Sequence, residues 1–149
     1  MSIRALPLIA IVLILYNLIV FTLGSAGVAP DATGGEEQGI LRVAMVVIPM
    51  LNNPAGWTFT WGDLLILLLL ITLFVEILKA TYTATTALVD HGLSMLVFIV
   101  CLIEFLMVKE AQTSVFFFIT VATAIDVIAG YTIGIRVARR DIGFGGLSQ

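Results

Sequence analysis

The chain has 149 residues, of which 60% are hydrophobic and only 11% charged, and its mean hydropathy is +1.15. Soluble globular domains are roughly 45 to 50% apolar and about 25% charged, so this composition excludes an ordinary soluble domain and indicates an integral membrane protein. The net charge of −3 says little about partners, but the lack of a basic patch argues against a nucleic-acid-binding surface. Because each crossing of the lipid bilayer needs about 20 residues, we predict one transmembrane domain over residues 1–149.

The first apolar stretch covers residues 3–23 and is followed by small residues, GSAGVAPDA, a pattern that a cleaved signal peptide also shows. Its apolar run of about 20 residues exceeds the roughly 7 to 15 residues of a signal-peptide core. We therefore predict a retained first span, followed by an outer loop over residues 24–61.

Within this loop, residues 40–53 form an apolar segment that is too short to cross a bilayer. Arg42 stands near its start and Pro49 near its end, and this pattern favours an amphipathic or re-entrant helix at the membrane surface. A β-hairpin is an alternative for the same residues. Trp57 and Trp61 follow, and because indole rings collect at the headgroup boundary, they mark the point where the chain returns to the membrane.

Three further apolar runs predict a second span at residues 62–80, a third at 84–108 and a fourth at 114–135. Asp63 suits the first turn of the second span and Lys79 its last turn, because their charges oppose the helix dipole. The short connections between these spans predict antiparallel neighbours. The predicted fold is an all-α integral membrane protein, an antiparallel bundle of four transmembrane helices with an extra-cytoplasmic segment between the first two spans.

The positive residues indicate which way the bundle faces. With four spans both chain ends lie on one side of the membrane, and five of the seven Lys and Arg residues lie on that side. They are Arg4, Lys79, Arg136, Arg139 and Arg140. Since positive residues are enriched in the cytoplasm, we predict a bacterial-type inner (plasma) membrane protein with cytoplasmic N- and C-termini and a cytoplasmic tail at residues 136–149.

Ionisable side chains occur inside the predicted spans, where they are costly unless they find partners. On a helix of about 100° per residue, the third span carries a mostly polar stripe along one line. The stripe consists of Asp90, Ser94, Val97, Cys101 and Glu104. Depth along the helices divides the polar residues of the bundle by leaflet. The cytoplasmic half receives Asp90, His91, Asp126 and Glu76, and the outer half receives Glu104 and Asn17.

The cytoplasmic group has three interpretations. In the first, His91 bonds Asp126 or Asp90 and fixes the register of the helices. In the second, these residues form a proton or cation path, since histidine titrates near neutral pH. In the third, His91, Asp90 and Asp126 bind a divalent metal, for which imidazole and oxygen ligands are suitable. A bis-histidine haem would need a symmetric dimer, because the chain has one His. The primary prediction is a protein without a metal or cofactor.

Gly130 and Gly134 form a GxxxG pattern beyond Asp126. Such a face lets helices approach closely, either within one chain or between copies. No nucleophile or phosphate-binding motif occurs in a suitable setting, which favours a non-catalytic protein. We therefore predict an accessory or scaffolding subunit of a membrane complex, or a self-associating module. The first alternative is a homo-oligomeric proton or cation channel or transporter using Asp126, Asp90 and His91. The second is a divalent-metal-binding or haem-binding membrane protein.

Overall fold

A computed structural model describes the chain over residues 7–24, 39–81 and 87–145, with the side chains of the third segment described for residues 91–136. Within these residues lie four α-helices, α1 (Ile9–Leu23), α2 (Trp61–Ala80), α3 (Ala87–Met107) and α4 (Ser114–Gly145). Each helix overlaps one of the predicted spans. The prediction of a mostly helical chain is therefore confirmed.

Two of these helices are long and apolar enough to cross a membrane. They are α2 and the part of α4 over Ser114–Arg136. Ile9–Leu23 and His91–Met107 are shorter apolar helices in the part of the chain searched. Two of the four predicted spans thus have helices of spanning length and composition.

The start of α2 is fixed by reciprocal hydrogen bonds between Thr60 and Asp63. The backbone N–H of Thr60 donates to the Asp63 carboxylate at 2.9 Å, and the backbone N–H of Asp63 donates to the Thr60 hydroxyl at 3.2 Å. This capping box satisfies backbone donors that a helix start leaves open. It begins the helix at Trp61, one residue before the predicted boundary, with Asp63 in the first turn as expected.

The predicted amphipathic or re-entrant helix at residues 40–53 is wrong. Only a 3₁₀ turn at Ile40–Arg42 is helical, and the chain then forms an antiparallel hairpin of β1 (Ala44–Met50) and β2 (Asn53–Thr60). The run Val46 to Ile48 is β-branched and Pro49 opposes a helix interior, so both favour an edge strand. The hairpin was the alternative for this segment.

The fourth helix is longer than predicted. It continues to Gly145, whereas the sequence pattern ends the span at residue 135 and assigns residues 136–149 to a tail. The end of an apolar stretch does not have to be the end of the helix that contains it. The stretch RVARRD contains no proline and is rich in Arg and Ala, which are good helix formers, so the helix extends past the apolar part.

Helix α4 lies at the centre of the bundle. It packs against α3 and α2, and α1 packs against α2 and α4. Phe105 of α3 lies against Phe116 of α4, so these two helices are antiparallel. Gly62 lies beside Val115, which places the starts of α2 and α4 together and makes them parallel.

The prediction that α2 and α3 pack directly against each other is wrong. The two helices make only marginal direct contact in the described residues, because α4 separates them. The centre of the bundle is apolar and holds side chains of α1, α2 and α4. Tyr16, Leu65, Phe116 and Ile119 are fully buried there.

Candidate functional site

A group of polar side chains, which we call the inner cluster, lies where α2, α3 and α4 meet. It consists of Asp126, Ser94, His91 and Lys79. Asp126 is 7% exposed, lies near Ser94, and experiences the electrostatic influence of Lys79 and His91. Because α4 lies between α2 and α3, the Asp126 carboxylate has one basic side chain from each neighbouring helix in its vicinity. The inner cluster thus joins three helices around one buried acid.

His91 rests on the two glycines of the GxxxG pattern. A Cβ atom built on Gly130 would lie 2.7 Å from the His91 Nδ1 atom, and one on Gly134 would lie 3.2 Å from Nε2. The imidazole also lies beside Tyr131, with a distance of 5.5 Å between the ring centroids. The small-residue face is therefore filled by a side chain of the same chain. It is not free to pack against a second copy.

Glu76 connects α1 with α2. Its Oε1 atom accepts a hydrogen bond from the backbone N–H of Leu8, the residue before α1, and its Oε2 atom lies 3.4 Å from the Lys79 ammonium. A carboxylate at the start of a helix is stabilised by the helix dipole and by the open N–H groups there. Glu76 is therefore buried with partners at both oxygens, and it is linked to the inner cluster through Lys79.

Asp90 belongs to the predicted cytoplasmic group and lies in the first turn of α3. Its side chain falls outside the described residues. Of the four residues predicted there, the structure places His91 and Asp126 near enough to interact electrostatically, and it places Glu76 beside Lys79.

A second group, the outer patch, lies towards the other end of the bundle. It consists of Glu104, Asn17, Tyr16 and Thr113. Asn17 lies near the Glu104 carboxyl, which brings together the two residues predicted from depth alone. The Oδ1 atom of Asn17 is buried, and it is without a hydrogen-bond partner among the described residues.

Tyr16 belongs to the outer patch but is not among the predicted site residues, because a packing position is the preferred interpretation for it. Its hydroxyl donates to the backbone carbonyl of Glu110 at 2.8 Å and lies 2.7 Å from the Thr113 hydroxyl. Its ring meets Phe116 edge to face at 4.9 Å between centroids. Tyr16 thus connects α1 to the start of α4. A tyrosine inside an apolar helix was the available signal, since a buried phenol needs a hydrogen-bond partner.

Two buried threonines of α4 lie between the inner cluster and the outer patch. Thr120 and Thr123 are 7% and 2% exposed, and they share a helix face with Asp126 because they are spaced by three residues. The Thr120 hydroxyl donates to the Phe116 carbonyl at 3.1 Å, and the Thr123 hydroxyl donates to the Thr120 carbonyl at 2.7 Å. Thr123 also lies near Cys101 of α3. Sequence reasoning missed both threonines because they carry no charge.

No group of three or more His, Cys, Asp and Glu side chains that could hold a metal ion occurs among the described residues. Of the candidate ligands His91, Asp90 and Asp126, the first and third lie in the inner cluster, where Lys79 and Ser94 are near Asp126. A cation such as Lys79 close to Asp126 opposes the binding of a second positive charge.

Comparison with known proteins gives no relative for this chain. No protein-family model, no curated protein and no solved structure matches it. The function of this chain is therefore inferred from its described side chains.

Proposed function

We propose that the chain is a four-span, non-catalytic integral membrane protein that serves as an accessory or scaffolding subunit of a membrane complex. The observation that carries this proposal is the distribution of side chains around the bundle. Large apolar side chains point outward from every helix, and examples are Ile14 at 67%, Leu70 at 58%, Leu106 at 66% and Ile128 at 66% exposure. Buried polar side chains, among them Glu76, Thr123 and Asp126, lie inside the bundle.

This arrangement fits lipid as the surrounding solvent. Exposing apolar surface to water costs roughly 25 cal/mol per Å², and a soluble helix therefore turns a polar face outward. In hydrocarbon the outward apolar face carries no such cost, whereas unpaired polar groups do. The pairing of Glu76 with Leu8 and Lys79, and of Tyr16 with Glu110 and Thr113, supports the same surroundings.

The length of α3 and the outer face of α1 support four crossings. The 21 residues of α3 extend about 32 Å at 1.5 Å per residue, and the hydrocarbon core is about 30 Å thick. The 15 residues of α1 extend about 22 Å, and this helix lies along α2 and α4 with Ile11, Ile14 and Leu18 exposed on its outer side. A helix with that outer face shares the apolar surroundings of its neighbours.

The positive residues support a bacterial-type inner membrane with the chain ends in the cytoplasm. Lys79 ends α2, and Arg136 lies in the second half of α4, so the two parallel helices carry positive charge at the same end of the bundle. Positive charge at that end is expected to remain in the cytoplasm. The inner cluster then lies in the cytoplasmic leaflet and the hairpin on the outer side.

A structural role is supported by what the polar contacts do. Each one joins separate elements of the chain: Glu76 joins α2 to the start of α1, and Tyr16 joins α1 to the start of α4. Of the two forms of this function, the accessory subunit is favoured over self-association through GxxxG, because His91 already fills that glycine face.

The test is purification of the full-length tagged chain from its native membranes in mild detergent, followed by native mass measurement. We expect a different membrane protein to be retained in fixed stoichiometry after stringent washing. A preparation containing only monomers or only homo-oligomers of this chain would contradict the accessory role.

A homo-oligomeric proton or cation conductor is the second candidate. It is favoured by the buried hydroxyls of Thr120 and Thr123 and by Cys101, which place polar atoms between Asp126 and Glu104 along the seam of α3 and α4. Both threonine hydroxyls donate to backbone carbonyls of their own helix, and Val97 packs against the core beside them. Measurement of ion flux in proteoliposomes separates this candidate from the structural one.

A further inference from the structure

The β-hairpin of residues 44–60, which we call the apolar hairpin, is hydrophobic on both of its faces. Side chains that point to opposite sides of β1 are all exposed, including Met45 at 42%, Val46 at 55%, Val47 at 54% and Ile48 at 39%. At the turn, Leu51 is fully exposed. No charged residue occurs from Val43 to Thr60. A two-stranded hairpin with this composition has no stable existence in water alone.

The apolar hairpin is attached to the bundle at its root. Strand β2 ends at Thr60 and α2 begins at Trp61, with no linker between them, and the capping box of Thr60 and Asp63 fixes this junction. The preceding 3₁₀ turn at Ile40–Arg42 packs against α1 and α2. The hairpin therefore begins at the end of a helix of membrane-spanning length, and its surface continues the apolar exterior of that helix.

The apolar faces and the unpaired backbone edges of the hairpin together indicate what surrounds it. A single protein partner docked on one face would leave the other apolar face in water. Full burial in hydrocarbon is excluded as well, because the outer edges of a two-stranded sheet carry unpaired backbone N–H and C=O groups that need water or another partner. The boundary between lipid headgroups and hydrocarbon offers apolar contact together with water for these edges.

We propose that the apolar hairpin lies in the headgroup boundary of the outer leaflet and acts as a lipid-binding element of the protein. This inference rests on the proposed membrane location of the bundle. Trp57 contacts Phe59 edge to face at 5.8 Å between ring centroids, and Trp57 is paired in register with Ile48 of β1. Indole rings prefer this boundary, since one part of the ring is apolar and its N–H remains hydrated.

The chain contains two tryptophans. One reports the surroundings of the hairpin, and the other reports those of the start of α2. The variant Trp61→Phe leaves Trp57 in the hairpin as the single indole. The variant Trp57→Phe leaves Trp61 at the start of α2, and it is the matched control for membrane insertion. Both variants are reconstituted as full-length chains in phosphatidylcholine vesicles. Tryptophan fluorescence is then quenched either by bromine atoms at known depths on the lipid chains or by iodide in the water.

We expect Trp57 to be quenched most by bromines near the headgroup and several-fold less by iodide than a free tryptophan amide. Strong quenching by iodide would show a hairpin in water, and protection from both quenchers would show a covering protein copy. Either result overturns the lipid proposal while Trp61 still reports insertion. If Trp61 also shows no quenching by lipid bromines, the proposed membrane function itself fails.

A second pair of variants tests the hairpin without removing an aromatic ring. In the Trp61→Phe background, Val46→Glu adds a charge to an exposed position of β1, whereas Val46→Thr keeps the β-branched shape that suits a strand. We expect the glutamate to increase quenching of Trp57 by the uncharged aqueous quencher acrylamide several-fold and the threonine to leave it nearly unchanged. Equal quenching in the two variants would overturn the proposal.

Discussion

The carboxylate of Glu76 accepts a hydrogen bond from the backbone N–H of Leu8, which lies 68 residues earlier in the chain. This bond closes the start of α1 against the end of α2. In the proposed membrane location, interhelical packing is not driven by exclusion of water, so hydrogen bonds between helices contribute directly to register. Glu76, which looks from the sequence like a local partner of Lys79, is thus also a contact between helices.

Replacement of Glu76 tests this contact. We expect Glu76→Ala to destabilise the bundle by about 1.5 to 3 kcal/mol, because it removes a buried charged acceptor and leaves the Leu8 N–H unpaired. Glu76→Gln should have a smaller effect, since an amide oxygen still accepts from Leu8 but loses its attraction to Lys79. Reversible unfolding in mixed micelles measures both. Glu110→Ala, at an exposed side chain, is the control, and an equal loss there would contradict the role of Glu76.

The His91 ring packs against Gly130, so we expect a larger side chain at position 130 to be unfavourable. We expect Gly130→Ala to destabilise the fold by about 1 to 2 kcal/mol, because a new Cβ would meet His91 Nδ1 at 2.7 Å. Gly134→Ala should cost less, since its Cβ would lie 3.2 Å from the ring. Unfolding in mixed micelles measures the change.

A double-mutant cycle shows whether His91 causes this limit. In the His91→Ala background the penalty of Gly130→Ala should disappear, because the colliding ring is gone. The control is Gly92→Ala, where nothing lies within 4 Å of the added carbon. A penalty at Gly130 that persists without His91 would point to a neighbour other than this ring.

Loss of the Tyr16 hydroxyl should weaken the contact between α1 and α4. We expect Tyr16→Phe to lower stability by about 1 to 2 kcal/mol, since the Glu110 carbonyl and the Thr113 hydroxyl each lose a partner while the contact with Phe116 is kept. Tyr131→Phe removes a hydroxyl from an exposed tyrosine and should change little. Thermal unfolding in detergent compares the two variants, and similar shifts would refute a specific role for Tyr16.

The proposed structural function predicts no ion flux through the protein. Vesicles containing the wild-type chain and a pH-sensitive dye should dissipate an imposed proton gradient no faster than empty vesicles, and Asp126→Asn should behave in the same way. Wild-type flux that is abolished by Asp126→Asn would replace the structural function with the conductor. Thr123→Val would then test the buried hydroxyls, because it keeps the side-chain volume and removes the polar atom.

Several parts of this fold are readable from the sequence because the responsible forces are local. The ends of α2 follow from Asp63 and Lys79, whose charges suit the two ends of a helix dipole. The proximity of Asn17 and Glu104 follows from depth, since helical rise fixes how far each residue lies from the end of its span.

Other parts depend on contacts between distant residues. A short apolar run such as the one around Val46 suits a strand as well as a helix, and hydrophobic periodicity does not separate the two. The position of α4 between α2 and α3 likewise cannot be predicted from loop lengths. Short loops indicate that consecutive helices are antiparallel, but they do not indicate which helices pack against each other. For the same reason, the side chain of His91 on Gly130 could not be read from the GxxxG pattern alone.

The central position of α4 has a consequence for biosynthesis. Helices α1, α2 and α3 leave the ribosome before α4, yet α3 finds its main neighbour in α4, and α2 packs extensively on the same helix. Until α4 has been made, Ser94 and His91 lack the Asp126 carboxylate near which they lie in the folded chain. The inner cluster therefore forms only after α4 joins the other helices, and in the proposed membrane setting a chain interrupted after α3 exposes polar groups that membrane quality control can recognise.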